Sequence, residues 1–96
     1  MVKHVVCFKL NNSTNEEKNS AKEILMSMKG KVPTVIDIEV GTDFLCSSRS
    51  YDVFLVVTLK DKVALEEYQA DAYHCDIVKT YMHAHVSSSV AIDYEL

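Results

Sequence analysis

Two predicted strands, Val2 to Leu10 and Tyr51 to Lys60, carry apolar side chains on both of their faces. A sheet covered by helices on one side normally alternates apolar and polar side chains, because its other side meets water. These two strands therefore need a cover on each face. One face holds Val2, His4, Val6 and Phe8 together with Tyr51, Val53, Leu55 and Val57, and the opposite face holds Val5, Cys7, Phe54 and Val56.

A polar break after the first strand leads into a predicted helix. Ser13 with Glu16, or Thr14 with Glu17, has the spacing of a capping box, in which a hydroxyl accepts a free backbone N–H and the glutamate reaches back. Gly30 is placed to end this helix, because glycine tolerates the left-handed turn found after helices. Apolar residues at helical spacing predict its buried face, which holds Ala21, Ile24, Leu25 and Met28.

The remaining segments predict one α+β domain over residues 1–96 with the order βαββαβ. Interleaved β-α-β units of this kind form a ferredoxin-like, four-stranded antiparallel sheet with helices on one face. The first and third strands are central in that sheet, in agreement with their apolar character. The other predicted elements are a strand at Val35–Val40, a helix capped by Asp61 that buries Ala64, Leu65 and Tyr68, a helical piece at Ala72–Ala84, and a strand at Val86–Tyr94.

The second apolar sheet face predicts a homodimer. Exposed Val5, Cys7, Phe54 and Val56 would form a contiguous apolar patch of the kind that marks an interface. Burying each such side chain is worth roughly 1.5–3 kcal/mol. A second copy packed sheet against sheet covers both patches through one two-fold contact. The alternative is a monomer in which the loop residues Phe44 and Leu45 fold back over the protein.

Charge and composition favour a cytoplasmic protein without nucleic-acid or membrane partners. The net charge is −4 and the ten Lys and Arg residues are scattered, whereas nucleic-acid binding needs a concentrated basic surface. No stretch approaches the ~18 apolar residues of a membrane-spanning helix, and the chain opens directly on a strand pattern rather than a signal peptide. The three cysteines lack C-x-x-C spacing, which predicts reduced thiols, with Cys7 and Cys75 as small core residues.

The chain has four histidines, the side chain that titrates near neutral pH and most often acts as general acid or base. His4 lies among apolar strand neighbours, as a pocket residue or as a core histidine bonded to backbone. His74 follows Tyr68 by six residues, so the two share a face only if the helix breaks between them, for which Asp71 and Ala72 are placed.

The other two histidines carry a weaker signal. His83 and His85 would point the same way in an extended segment, but a metal site would need a further ligand such as Asp76 or Cys75. Exposed histidines at the mouth of a strand are commoner than such a metal site, and we expect no metal and no cofactor. A thiolate–imidazole pair of Cys75 with His74 is disfavoured, because adjacent residues seldom face each other.

Four segments in order along the chain resemble the stress-responsive dimeric α/β-barrel (Dabb) proteins. The resemblance covers essentially the whole chain and implies a ferredoxin-like domain that dimerises through its sheets. It says little about activity, because fold alone does not carry chemistry. The segments are Met1-Val2-Lys3-His4-Val5-Val6, Arg49-Ser50-Tyr51-Asp52-Val53, Leu65-Glu66-Glu67-Tyr68-Gln69 followed by His74, and Val90-Ala91-Ile92-Asp93-Tyr94.

One characterised branch of the family, the plant polyketide cyclases, folds a linear polyketide by aldol condensation with a histidine and a tyrosine. Carried over by position, these are His74 and Tyr68, with His4 as a second pocket histidine. The chain departs from the family pattern Tyr-x-x-His-Pro-x-His, because Asp71 and Ala72 replace its first histidine and its proline. The resemblance therefore implies a looser turn before His74. The apolar pocket positions that it implies are Val6, Phe8, Leu25, Ile38 and Leu55.

Three functions follow as hypotheses. The first is a dimer that binds an apolar or aromatic small molecule in this pocket without changing it. The second is a cofactor-free, cyclase-like enzyme in which His74 is the general base and Tyr68 donates a hydrogen bond to a developing oxyanion. The third is a haem-degrading or monooxygenase-like barrel, which would need a histidine free to bind iron.

Overall fold

The computed structural model describes residues 1–96 and has one four-stranded antiparallel sheet with helices on one face. The sheet order is β2-β3-β1-β4, so the first and third strands are central as predicted. None of the helices has the length and apolar character needed to cross a membrane. The elements are β1 (Val2–Leu10), α1 (Asn15–Met26), β2 (Asp37–Thr42), β3 (Val53–Leu59), α2 (Lys62–Ala70), a π-helical segment (His74–Lys79), α3 (Thr80–His85) and β4 (Val86–Glu95).

The pairing of β1 with β3 fixes which side chains share a face. Val6 lies opposite Leu55 and Cys7 lies opposite Phe54, which gives the two faces predicted from the alternation. The inner face is in the core: Val53, Leu55 and Val57 are buried. Helix α1 packs over β2 and β3, and α2 packs over β1 and β3. The single core cluster therefore lies between the helices and this face of the sheet.

Helix α1 begins as predicted and ends earlier than predicted. Thr14 is its N-cap, and the Thr14 hydroxyl accepts the Glu17 N–H at 3.2 Å. The helix stops at Met26 because the chain tightens into turns, in which the Met28 N–H donates to the Leu25 carbonyl. Gly30, with φ +86°, lies within these turns and does not end the helix itself.

The second half of the chain breaks at Asp71, as expected. Asp61 caps α2 through a 2.8 Å bond from the Ala64 N–H, and Asp71 ends α2 in an extended conformation. The helical piece predicted at Ala72–Ala84 exists, but its central part is π-helical, with backbone bonds to the fifth rather than the fourth residue. The β2 strand begins two residues later than predicted and continues through Gly41.

The loop after β2 does not fold back onto the core. Phe44 and Leu45 are 92% and 69% exposed, so the prediction that they pack on the protein is wrong. The loop is held by polar contacts: the buried Lys18 side chain donates to the Asp43 carbonyl at 3.0 Å, and the Cys46 N–H donates to the Asp43 carboxylate at 2.8 Å. These bonds satisfy backbone groups without any need to bury the two apolar side chains.

The outer face of the sheet is apolar and uncovered by any helix. Ile92 of β4 lies opposite Val5, and Val90 lies opposite Cys7, so the edge strand extends the apolar surface of the central strands. Considerable apolar area remains exposed there, with Phe54 at 38% and Ile92 at 62%. We call Val5, Cys7, Phe54, Val56, Val90 and Ile92 the outer apolar face.

Candidate functional site

A cavity of about 380 Å³ lies between the inner sheet face and the helical segments after α2. That volume is in the range of small-molecule sites in proteins. Side chains from the sheet and from the helices form the apolar floor of the cavity. Its polar residues are histidines and exposed side chains at the mouth. The lining residues are His4, Val6, Phe8, Leu25, Leu55, Tyr68, Gln69, His74, Val78, Lys79, Met82, His83 and Ser89.

His4 is held on the sheet by a partner that the sequence reasoning missed. Its Nδ1 makes a short hydrogen bond with a carboxylate oxygen of Asp93, which lies directly opposite on β4. The His4 side chain is only 12% exposed. Because Nδ1 is occupied by Asp93, Nε2 is the nitrogen that remains free for a ligand in the cavity. The carboxylate fixes the orientation of the ring, so this histidine is neither free nor bonded to backbone.

The buried Tyr68 ring lies between the two pocket histidines. Its centroid is 5.5 Å from that of His4 in an edge-on arrangement and 4.4 Å from that of His74 in a tilted one. The Tyr68 hydroxyl donates to the Met28 sulfur at 3.6 Å, away from the cavity lining. Burial raises the pKa of Tyr68 above its usual range, so the phenol stays protonated. The Tyr68 hydroxyl is therefore engaged by a residue that does not line the cavity.

His74 lines the cavity and has one of its two ring nitrogens buried. Its Nδ1 is buried and has no hydrogen-bond partner in the protein. The Gln69 backbone lies close enough to the ring to favour its charged form, which opposes the effect of burial. Burial and then the charge of Lys79 lower the pKa of His74 below its ordinary 6.5. The imidazole is therefore neutral at pH 7 and has a nitrogen lone pair available for a proton.

Asp71 stabilises the turn before His74, where the family motif has a histidine followed by a proline. Its carboxylate accepts the His74 N–H at 3.2 Å and its carbonyl accepts the Cys75 N–H at 2.9 Å, so it caps the helical piece that carries His74. A side-chain cap of this kind defines the first turn of a helix. The predicted consequence of losing the proline, a loose turn, is thus offset by a capping carboxylate.

The π-helical segment widens the strip of residues that faces the cavity. His74, Val78 and Lys79 all line it, because π-helical bonding brings the fourth and fifth residues after His74 beneath it. Met82 and His83 continue the strip onto α3. Nothing in a single sequence marks a π-helical turn, so the sequence predicted an ordinary helical piece here.

The residues proposed for the pocket from the resemblance are placed as follows. Val6, Phe8, Leu25 and Leu55 line the cavity. Ile38 does not line it, because it lies on the edge strand β2, where it is buried in the core. The sequence reasoning missed Gln69, Lys79 and Ser89 at the mouth, since exposed polar residues carry no periodic signal.

His85 and Cys75 make local contacts within the second half of the chain. His83 and His85 lie on α3, not on an extended segment, and His85 stacks on Tyr81 with its Nδ1 2.8 Å from the Tyr81 carbonyl. No cluster of three or more His, Cys, Asp or Glu side chains has metal-binding geometry. The Cys75 thiol donates to the Gln69 carbonyl at 3.2 Å, not to His74.

The cysteines also differ from the expected burial. All three are free thiols, and Cys7 and Cys75 are half-buried rather than members of the core. Cys7 lies on the outer apolar face, whereas Cys75 lies on the π-helical segment beside solvent. Helical packing leaves that side of the segment uncovered, which is why Cys75 is only partly shielded.

The sheet topology and the single layer of helices define a ferredoxin-like α+β protein. Within that class, the chain belongs to the stress responsive A/B barrel domain family, Dabb, whose family model matches residues 2–96. The resemblance inferred from the sequence is confirmed over that range. A search of curated proteins finds no match.

Similar solved structures support the same fold. A dimeric ferredoxin-like protein of unknown function from Bacteroides fragilis has 26% identity and a TM-score of 0.82, with 99% of this chain and 95% of that chain covered. A second dimeric ferredoxin-like protein of unknown function, from Thermobifida fusca, has 19% identity and a TM-score of 0.83, covering 99% and 90%. A hydroxynitrile lyase from Passiflora edulis has 12% identity and a TM-score of 0.81, covering 99% and 92%.

Proposed function

We propose that the chain forms a homodimer through its outer apolar face and that each protomer binds an apolar or aromatic small molecule in the cavity. The observation that carries the binding function is the cavity itself, which combines an apolar floor with imidazole side chains in its lining. A few polar groups set in an apolar pocket are the usual composition of a small-molecule site. The uncovered outer face and the dimeric relatives support the homodimer.

A neutral fluorescent ligand, N-phenyl-1-naphthylamine, tests the binding function. We expect saturable fluorescence enhancement with one site per protomer. Val78→Phe adds atoms on the cavity side and should abolish the enhancement, whereas Ile77→Phe, one residue earlier and outside the lining, should preserve it. Circular dichroism of both variants confirms folding. Absence of binding to the wild type, or equal binding by both variants, would contradict the proposal.

Native mass spectrometry of freshly purified protein complements this test. A dimer with additional mass would provide the natural ligand for identification. Extra mass that survives in Val78→Phe would show that the ligand lies outside the cavity.

A second candidate function is proton abstraction from a bound carbon acid, favoured by the neutral imidazole of His74 in the cavity lining. In this reaction His74 takes a proton from the carbon beside a carbonyl, and the electron pair moves onto the carbonyl oxygen as an enolate. His4 bonds to Asp93 through its Nδ1–H, so its Nε2 donates to that oxygen only in the imidazolium form of the ring. Tyr68 supports the His74 ring, and its hydroxyl would have to leave the weak sulfur acceptor of Met28 to serve as the oxyanion donor.

Deuterium uptake by 2-acetonaphthone, an uncharged aromatic methyl ketone, tests this second function in D2O. We expect the wild type to accelerate exchange at the methyl group and His74→Gln to lose the acceleration. His85→Gln is the control, because His85 lies on α3 outside the cavity lining. Binding of the ketone with background exchange would leave ligand binding as the function of the pocket.

A further inference from the structure

The mouth of the cavity has a single formal charge, and that charge is positive. The six polar lining residues are His4, Gln69, His74, Lys79, His83 and Ser89, and none of them is an aspartate or a glutamate. The chain as a whole carries a net charge of −4, so an acidic lining would be the expectation for a randomly placed surface. The charge at this mouth is therefore opposite in sign to the net charge of the protein.

The Lys79 ammonium is not neutralised by a neighbouring carboxylate. Lys79 takes part in none of the three ion pairs of the structure, which involve His4, Lys29 and Lys62. It makes no side-chain hydrogen bond, and it lies one helical turn before His83, on the same side of the helical piece. An unpaired cation beside an imidazole, at the entrance of an apolar cavity, is suited to receive an anionic group.

Two carboxylates that contact cavity residues are already engaged. Asp93 bonds to His4, and Asp71 caps the helical piece through the His74 N–H. Neither side chain lines the cavity. A ligand that placed a negative charge at the mouth would therefore meet Lys79 without facing a free carboxylate in the lining.

We propose that the cavity selects amphiphilic anions, with an apolar or aromatic body on the floor and one oxyanion group, such as a carboxylate or sulfonate, held by Lys79 at the mouth. His83 and Ser89 offer further hydrogen-bond donors to the same group. This inference rests on the proposed small-molecule function and adds the charge of the ligand and its orientation. The anionic end lies at the solvent side and the apolar end lies toward Val6 and Leu55.

Two probes with the same aromatic body separate charge from apolar contact. 1-Anilinonaphthalene-8-sulfonate carries one sulfonate, and N-phenyl-1-naphthylamine lacks it. Lys79→Met removes the charge and keeps the side-chain stem, and Lys79→Arg restores a charge. Lys22→Met is the control, since Lys22 is an exposed lysine on α1 that does not line the cavity.

We expect Lys79→Met to weaken binding of the sulfonate probe about two- to fivefold, as befits an exposed charge pair. The neutral probe should bind this variant as it binds the wild type, Lys79→Arg should recover the loss, and Lys22→Met should show none. At about 1 M salt the difference between wild type and Lys79→Met should disappear, because charges are then screened within about 3 Å.

Each contrary result has a distinct meaning. Equal effects of Lys79→Met on both probes, or none on the sulfonate probe, would overturn the anion preference while leaving the cavity function intact. Sulfonate binding that persists in Val78→Phe would overturn it too, because the probe would then lie outside the cavity. Failure of the neutral probe to bind the wild type would overturn the proposed function and this inference with it.

Discussion

Replacing Ile92 with lysine tests the origin of the homodimer in the outer apolar face. Ile92 is 62% exposed in the protomer, and a two-fold interface buries it twice. Because complete burial of such a side chain is worth roughly 1.5–3 kcal/mol, the two copies together contribute about 2–4 kcal/mol to dimerisation. Ile92→Lys removes that contribution and brings two ammonium groups into the interface. The dissociation constant should rise at least about 30-fold.

Sedimentation velocity over about 0.1–100 µM protein measures this change. Ile77→Lys is the matched control, because Ile77 is 46% exposed on the helical side and lies far from the sheet interface. Circular dichroism shows whether both variants keep the fold. A wild-type protein that is monomeric at every concentration, or an equal shift in both variants, would refute the argument from the uncovered face.

Two further predictions concern the site. Because the pKa of His74 is lowered in the folded protein, the unfolded chain takes up this proton first as the pH falls. The free energy of unfolding should therefore fall below pH 6.5 and level off below the folded-state pKa. Urea denaturation at fixed protein concentration should show a smaller fall in His74→Asn than in the wild type. Superimposable pH curves for the two proteins would contradict this prediction. Asp71→Ala should cost about 1 kcal/mol of unfolding free energy through loss of the cap. Asp76→Ala, an exposed position on the same helical piece, should cost little, and equal losses would count against the capping role.

The fold was predictable because its main signals are periodic. The alternation of side chains along β1 and β3 predicted which of them share each face of the sheet. The capping residues Thr14 and Asp61 marked the starts of two helices. The alternative in which Phe44 and Leu45 fold back over the protein is wrong, because both side chains are exposed. Lys18 and Asp43 satisfy the backbone of that loop at the surface instead.

The site was predictable only in part. Position in the family pattern predicted one pocket for His4, Tyr68 and His74. All three line the cavity in the structure. Asp93 was missed because its pairing with His4 depends on the register of β1 and β4, which a single sequence does not specify. The signal that could have found it is the alternation of β4, which turns Asp93 to the inner face.

The pairing of His4 with Asp93 also has a consequence for folding order. The two residues are 89 positions apart, so this contact closes a loop that spans almost the whole domain. Contacts of such separation form slowly, because the chain entropy of closing the loop is lost before the contact is made. Tyr68 and His74, by contrast, are neighbours within one helical region. During refolding, the Tyr68–His74 contact is thus available early, and the cavity acquires its oriented His4 only when β4 docks along β1.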